Sequence, residues 1–495
     1  MNPPFPHPCP VIPPPSFPTA VVYGLCAEDK DATSLLDQDL FDRAYALVAG
    51  FPHLPPSQRF QLVDSLCANL AVLAASTAAQ LAASIASLES PSSPSPTLPS
   101  SSSPSHLAIQ AQAVKAYVFL LAWILAQGED EHKHACLTAE TTAMVTTGGA
   151  GNARGRGKKK GLVQTGPCGW EWSPHREKIL ASLAALSVVN LAQLYAPAQP
   201  DEPLLRTLLA CVTRTLTVPL AMKDASIRAH TYTLTTALVA RSTGTTRNGP
   251  GSGSGSGLEK TSTSSSSTSS THVYLEATVS ALVDVLAKHE HSPAYLAQLA
   301  RFVEGKTGGD ASLGVHLLAE VAEVDPQEYK RQQANDAQGV KNVAMFMEEM
   351  ARSMPKAVSA HLTLLLPHLG GGAYVIRSAI TTALGLVLVG ALSPSSGGSH
   401  GSDEADGEDV HNPNNNTRTS EQTAARMVTK MHVLEVLMAR TRDTAAFTRV
   451  RALATWEHVA VARAVPISHW NTVAGLALER MRDKGMYKTY EPRAS

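Results

Sequence analysis

Wherever this chain is rich in apolar residues, they recur at three- and four-residue intervals, and no stretch alternates strictly between apolar and polar. That spacing gathers them on one stripe of an α-helix, whereas a half-buried strand needs a period of two. The apolar content is mostly Ala, Leu and Val with only 5% aromatic residues, which suits helix-on-helix packing. The expected fold class is all-α, with no sheet.

Four low-complexity segments interrupt the helical pattern: 89–105 (Ser/Pro-rich), 146–167 (Gly-rich and basic), 242–271 (Gly/Ser/Thr-rich) and 393–420 (polar, partly acidic). None buries enough apolar surface to offset its ordering entropy, so they read as disordered insertions in loops. The expected layout is a disordered Pro-rich start (1–35), a helical domain (36–240), a linker (242–271), a helical-repeat region (272–484) and a polar tail (485–495). Helices are expected over 40–50, 56–89, 106–127, 173–195, 203–216, 225–239, 271–288, 292–304, 312–323 and 342–353.

The last third repeats a unit. One helix is expected over 355–369, Gly370, Gly371 and Gly372 turn the chain, and 374–392 forms a second. Helix 423–439, a turn at Arg442-Asp443-Thr444 and helix 445–464 make another pair, and a third opens at Pro466. Pairs of roughly 40 residues stacked side by side are the HEAT or armadillo pattern, an α-solenoid that tolerates disordered low-complexity insertions. The second helices share an arginine near their start: Arg377 in AYVIRSAITTAL, Arg449 in AFTRVRALATWEHV and, more loosely, Arg228 in DASIRAHTYTLTTAL. Such an arginine either bonds to turn carbonyls or to an acid of a neighbouring repeat, or is a solvated surface residue.

Net charge is −1, so any nucleic-acid contact has to be local. The dense basic cluster is Arg154, Arg156, Lys158, Lys159 and Lys160, which either contacts DNA phosphates without sequence preference or is a solubilising linker. Ser90, Ser93, Ser95 and Ser103 each precede proline and are candidate phosphorylation sites, the alternative being composition bias. No phosphate loop appears, because GNARGRGKKK (151–160) lacks the required glycine and the hydroxyl residue after lysine. His132, His134 and Cys136 lie close together, but a solvated turn at a helix end is the expected reading rather than a metal site. Neither catalytic nor cofactor-binding residues stand out. Scattered cysteines without a CxxC pair suit a reducing compartment, and apolar runs such as 117–126 fall short of the roughly 20 residues of a membrane span. Trp123 and Trp456 are expected inside packed helices, with Trp170, Trp172 and Trp470 nearer helix starts.

ISHWNTVAGLALERMRDK (467–484), preceded by AFTRVRALATWEHVAVARAVP (446–466), resembles the condensin complex subunit 1 family. The run 342–385, VKAYVFLLAWIL (114–125) and GWEWSPHREKILASLAALSVVNLAQLY (169–195) are similar to further family motifs, in the family's order. One departure is in the turn before Tyr374, where Gly371 and Gly372 replace the family's usual acid. The resemblance implies the N-terminal portion of a non-enzymatic HEAT-repeat subunit without cofactor. Its implied partners are the kleisin and SMC ATPase subunits of condensin and DNA or chromatin, histones included, with no membrane and no small-molecule substrate. It also implies residence in the nucleus and on chromosomes, and in the cytoplasm for part of the cell cycle. Alternatives are another HEAT adaptor, of nuclear-transport or cohesin-loader type, or a helical enzyme with a dispersed site.

Overall fold

A computed structural model describes residues 35–88, 104–147, 171–186, 201–240, 269–307, 313–335, 337–392 and 414–481. Among the described residues every regular element is helical and no strand occurs. The helices up to Ala240 form one compact unit, and the chain from Leu275 onward forms a second.

The first unit contains α1 (Gln38–Ala49), α2 (Pro56–Leu88), α3 (Pro104–Thr147), α4 (Ser173–Ala185), α5 (Glu202–Leu216), α6 (Pro219–Lys223) and α7 (Ala225–Ala240). They pack as two layers of hairpins: α1, α3 and α5 run along one layer, and α2, α4 and α7 along the other. Helix starts follow local chemistry. Asp201 accepts from the Leu204 N–H at 3.2 Å to cap α5, and proline stands in the first turn of α4, α5 and α6, where a missing N–H costs nothing. On α2 the buried residues Leu62, Val63, Leu66, Leu70 and Leu73 keep the helical interval, as do Val114, Val118, Leu121 and Leu125 on α3. Each such side chain contributes about 1.5–3 kcal/mol of burial.

Two helices here depart from the expected pattern. Helix α3 does not stop near Gln127 but runs on through the polar EDEHKHAC stretch, which is therefore helix rather than turn. Pro56–Gln80 and Ile109–Cys136 are also long and apolar enough to cross a membrane by length and composition, which the short apolar runs did not suggest. About half of each is buried inside the protein, and α2 pairs Arg59 with Glu131 of α3.

The second unit contains α8 (Ser269–Lys288) from Leu275 onward, α9 (Ser292–Thr307), α10 (Leu313–Glu323), α11 (Pro326–Asn335), α12 (Ala337–Ser353), α13 (Pro355–Ala360), α14 (Leu362–Leu365), α15 (His368–Gly371), α16 (Tyr374–Gly390), α17 (Asn414–Arg440), α18 (Ala446–Val461) and α19 (Trp470–Met481). Helices α9, α12, α16 and α18 lie side by side as one layer, and α10, α13, α15 and α17 pack onto it. Helices α16 and α18 approach so closely that a Cβ on Gly385 would fall 2.2 Å from Thr455 Cγ2.

The stretch 355–369 is three short helices rather than one. Pro367 has no N–H to donate, and its ring crowds the carbonyl four residues back. Helix α11 was not expected, because PQEYKRQQAN carries almost no apolar stripe. Helix α17 begins at Asn414, inside the stretch read as a disordered insertion.

Candidate interaction site at the arginine-clamped turns

Five arginines occupy one structural position, the fourth residue of a second-layer helix: Arg59 on α2, Arg176 on α4, Arg228 on α7, Arg377 on α16 and Arg449 on α18. A side chain there leans back toward the helix N-terminus and so lies over the preceding turn, whose carbonyls have no helical partner. Arg228 Nη1 donates to the Met222 carbonyl at 2.8 Å. Arg377 Nη1 donates to the Gly372 carbonyl at 2.6 Å, and Arg449 Nη1 to the carbonyls of Asp443 and Thr444 at 2.9 and 3.1 Å. Arg59 Nε donates to the Leu54 carbonyl at 2.9 Å, with a further bond to Pro52.

Three of the five grip an acid on another element. Arg59 Nη1 reaches both oxygens of Glu131 at 3.0 and 2.9 Å. Arg176 holds Glu129 through Nε and through Nη2 at 2.7 Å, with side-chain exposures of only 3% and 4%. Trp172 Nε1 donates to the same carboxylate at 3.1 Å, and its ring lies so close over Gly128 that a Cβ there would stand 2.3 Å away. Arg377 makes a two-pronged contact with Asp443 at 3.1 and 3.0 Å, fastening α16 to the turn before α18.

Asp443 is the centre of that turn. Its carboxylate also accepts from Arg440 Nη1 at 3.2 Å and from the Ala445 N–H at 2.8 Å. The corresponding turn before Tyr374 has glycines in place of an acid, and α9 and α12, in the same layer as α16 and α18, carry Tyr295 and Val340 at the arginine position. Beside Asp443, Arg442 donates to Glu479 at 3.1 Å and Arg480 pairs with the same carboxylate. These two bonds hold the Glu479 carboxyl below its usual value. Exposed on this edge, Tyr374 and Phe447 stack with ring centroids 5.6 Å apart and an interplanar angle of 28°.

The basic cluster Arg154, Arg156, Lys158, Lys159 and Lys160 and the serines Ser90, Ser93, Ser95 and Ser103 lie outside the described residues, as does Trp170. Trp172 and Trp456 are buried, Trp123 is half-buried between Tyr45 and Phe119, and Trp470 is exposed. Cys136 Sγ lies 3.8 Å from His132 Nε2 one helical turn away. Among the described residues no three His, Cys, Asp or Glu side chains are grouped to hold a metal ion. Arg59 and Arg176 lie outside the repeat signature of Arg228, Arg377 and Arg449 that the sequence displays. The usable signal was arginine in the first helical turn after a proline, in PSQR and SPHR.

Layered helix hairpins, four of whose turns are tied by an arginine, define a helical-repeat protein. The family model described as non-SMC mitotic condensation complex subunit 1, N-terminal, matches residues 56–243. Condensin-1 complex subunit CAP-D2 of Arabidopsis thaliana is 26% identical over 456 residues, which is 92% of this chain and 26% of that protein. Condensin complex subunit 1 of Mus musculus is 23% identical over 67% of this chain and 20% of its own length. The Homo sapiens protein of the same name is 26% identical over 43% of the chain and 13% of its length. The chain is similar to condensin complex subunit 1, and it spans about a quarter or less of the length of these curated relatives.

Proposed function

We propose that this chain acts as a non-catalytic scaffold subunit of condensin, binding the kleisin and SMC ATPase subunits and chromosomal DNA in support of mitotic chromosome condensation. It would work in the nucleus and on chromosomes, and be cytoplasmic for part of the cell cycle. The observation that carries this reading is the coincidence of the condensin family match over 56–243 with two units whose described residues form layered helix hairpins. Stacked hairpins offer long faces for extended partners and no preformed reaction centre. ATP hydrolysis would then belong to the SMC partners, and this chain needs no cofactor.

In the same reading Arg154, Arg156, Lys158, Lys159 and Lys160 neutralise DNA phosphates. Phosphates on Ser90, Ser93, Ser95 and Ser103 add negative charge that regulates such contact. Arg228, Arg377 and Arg449 keep a structural role.

Acute depletion of the chain from dividing cells tests the proposal. Metaphase chromosomes should lose axial compaction and recover it when the chain is restored. Unchanged chromosome dimensions after complete depletion would remove the condensin role. For DNA contact, replacing the five basic residues with Ser should lower the slope of log affinity against log salt by about 4.

A further inference from the structure

We propose that an aromatic platform shared by α1 and α3 is a proline-binding site, and that the proline-rich stretch 3–18 of the same chain occupies it. Phe41 and Tyr45 stand one helical turn apart on α1, and Phe119 and Trp123 do the same on α3. The four rings form a continuous ladder, with centroids 6.4 Å apart from Phe41 to Tyr45, 4.7 Å from Tyr45 to Trp123 and 6.0 Å from Trp123 to Phe119. The ladder faces outward, since Tyr45 is 42% and Phe119 45% exposed while Phe41 and Trp123 are half-buried. A contiguous exposed patch of large apolar side chains marks a contact surface, whereas single ones do not.

The platform is shaped and braced. The Trp123 plane is tilted 56° from Tyr45 and 59° from Phe119, so the rings enclose notches rather than a flat sheet. With the Gln127 amide oriented to suit both neighbours, its oxygen accepts from Trp123 Nε1 at 2.8 Å and its nitrogen donates to the Val48 carbonyl at 2.9 Å. That relay fixes the indole across both helices.

The chemistry of the notches selects proline. Pyrrolidine rings are compact and apolar, and a polyproline II backbone is set before it binds, so docking costs little conformational entropy. Its carbonyls stay outside any internal hydrogen bond and accept from a donor such as the Tyr45 hydroxyl. The stretch MNPPFPHPCPVIPPPSFP carries no acidic, lysine or arginine side chain to desolvate. Pro10 and Pro13, like Pro15 and Pro18, are three residues apart and share one face of such a helix.

Place in the chain makes this stretch the occupant. The connection 19–34 joins it to the chain just before α1, and a chain of about 16 residues spans on the order of 20 Å. Tyr45 lies about 15 Å beyond Leu35 along the helix. A connection matched to its span gives an effective concentration in the millimolar range, which favours this segment over a proline-rich chain in free solution. The inference stands apart from the condensin reading, since it concerns one face of the first unit whatever complex the chain joins.

A photoreactive benzoylphenylalanine placed at Phe119 in the purified full chain tests this, with adducts mapped by mass spectrometry. Irradiation should join position 119 to residues within 3–18 of the same molecule, in a yield that dilution leaves unchanged. Replacing Pro13, Pro14 and Pro15 with Ala should cut that yield about tenfold, the loss of a central apolar contact. Those positions precede every described helix, so the substitutions leave the platform itself intact. Excess free peptide of residues 3–18 should lower the yield as well. The same group at Phe60, 52% exposed on α2 in the other layer, should capture the stretch far less. Adducts that join two copies, that map only elsewhere on the chain or that form as readily from Phe60 would overturn the proposal. So would the absence of any adduct, or a yield that the alanine substitutions leave unchanged.

Discussion

Replacing Glu129 with Gln should destabilise the first unit far more than a change of one atom suggests. The substitution keeps side-chain volume, so no cavity opens and the effect is electrostatic. Glu129 is the carboxylate gripped by Arg176 through two nitrogens and by Trp172 Nε1, with both charged side chains almost wholly removed from water. Without the negative charge, the Arg176 guanidinium remains buried and uncompensated, a situation that costs about 3–5 kcal/mol. Because the chain has two units, one global denaturation curve mixes their transitions, and amide hydrogen exchange is the better readout. Amides of α3 near Glu129 and of α4 near Arg176 should lose protection by about a hundredfold or more, since each 1.4 kcal/mol is a factor of ten. Amides of α16 and α18 should be unaffected. The double variant Glu129→Leu with Arg176→Met should recover much of the protection, because removing both charges leaves only the neutral Trp172 indole N–H without its partner. A loss under tenfold in the single variant, or a double variant as weak as the single, would refute the reasoning.

At the α16–α18 crossing, Gly385→Ala forces a methyl onto Thr455 Cγ2 and should cost about 1–3 kcal/mol in urea denaturation; an unchanged midpoint would show that the helices separate freely. Burial pushes the Glu348 carboxyl up from its ordinary value, with Arg451 acting in the opposite direction. The folded state therefore retains a proton that the unfolded chain releases near pH 4.5, so this group's contribution to stability is greatest below that pH and declines as pH rises through the folded value. Glu348→Gln should flatten that decline, and an identical pH profile would contradict it. Burial raises the thiols of Cys67 to about 11 and of Cys211 to about 12. Iodoacetamide at pH 8 should label exposed Cys136 well before either in the native chain, with mass spectrometry of the peptides as the readout.

The helical layout was legible because Leu, Val and Ala repeat at helical spacing, and hairpin boundaries carry Pro, Gly or Asp. Three things were not. Polar helices such as α11, and α3 beyond Gln127, have little apolar stripe to read, and tertiary contacts and Ala, Glu and Gln propensity sustain them instead. Pro367 sits inside a strongly apolar run, and the stripe masked the break it imposes. The edge around Asp443 could be read only in part. Arg377 and Arg449 were visible as a repeated signature, but their sharing of one turn brings together residues 66 or more apart with Arg440 and Arg442. Nothing local in the sequence marks Tyr374 as the stacking partner of Phe447.

Quantitative mass spectrometry of the complex recovered on the tagged chain from mitotic cells bears most directly on its role as a condensin scaffold. Two SMC ATPases and a kleisin should be recovered in near-equal amounts with it. Recovery of the chain in high yield without them would contradict that role.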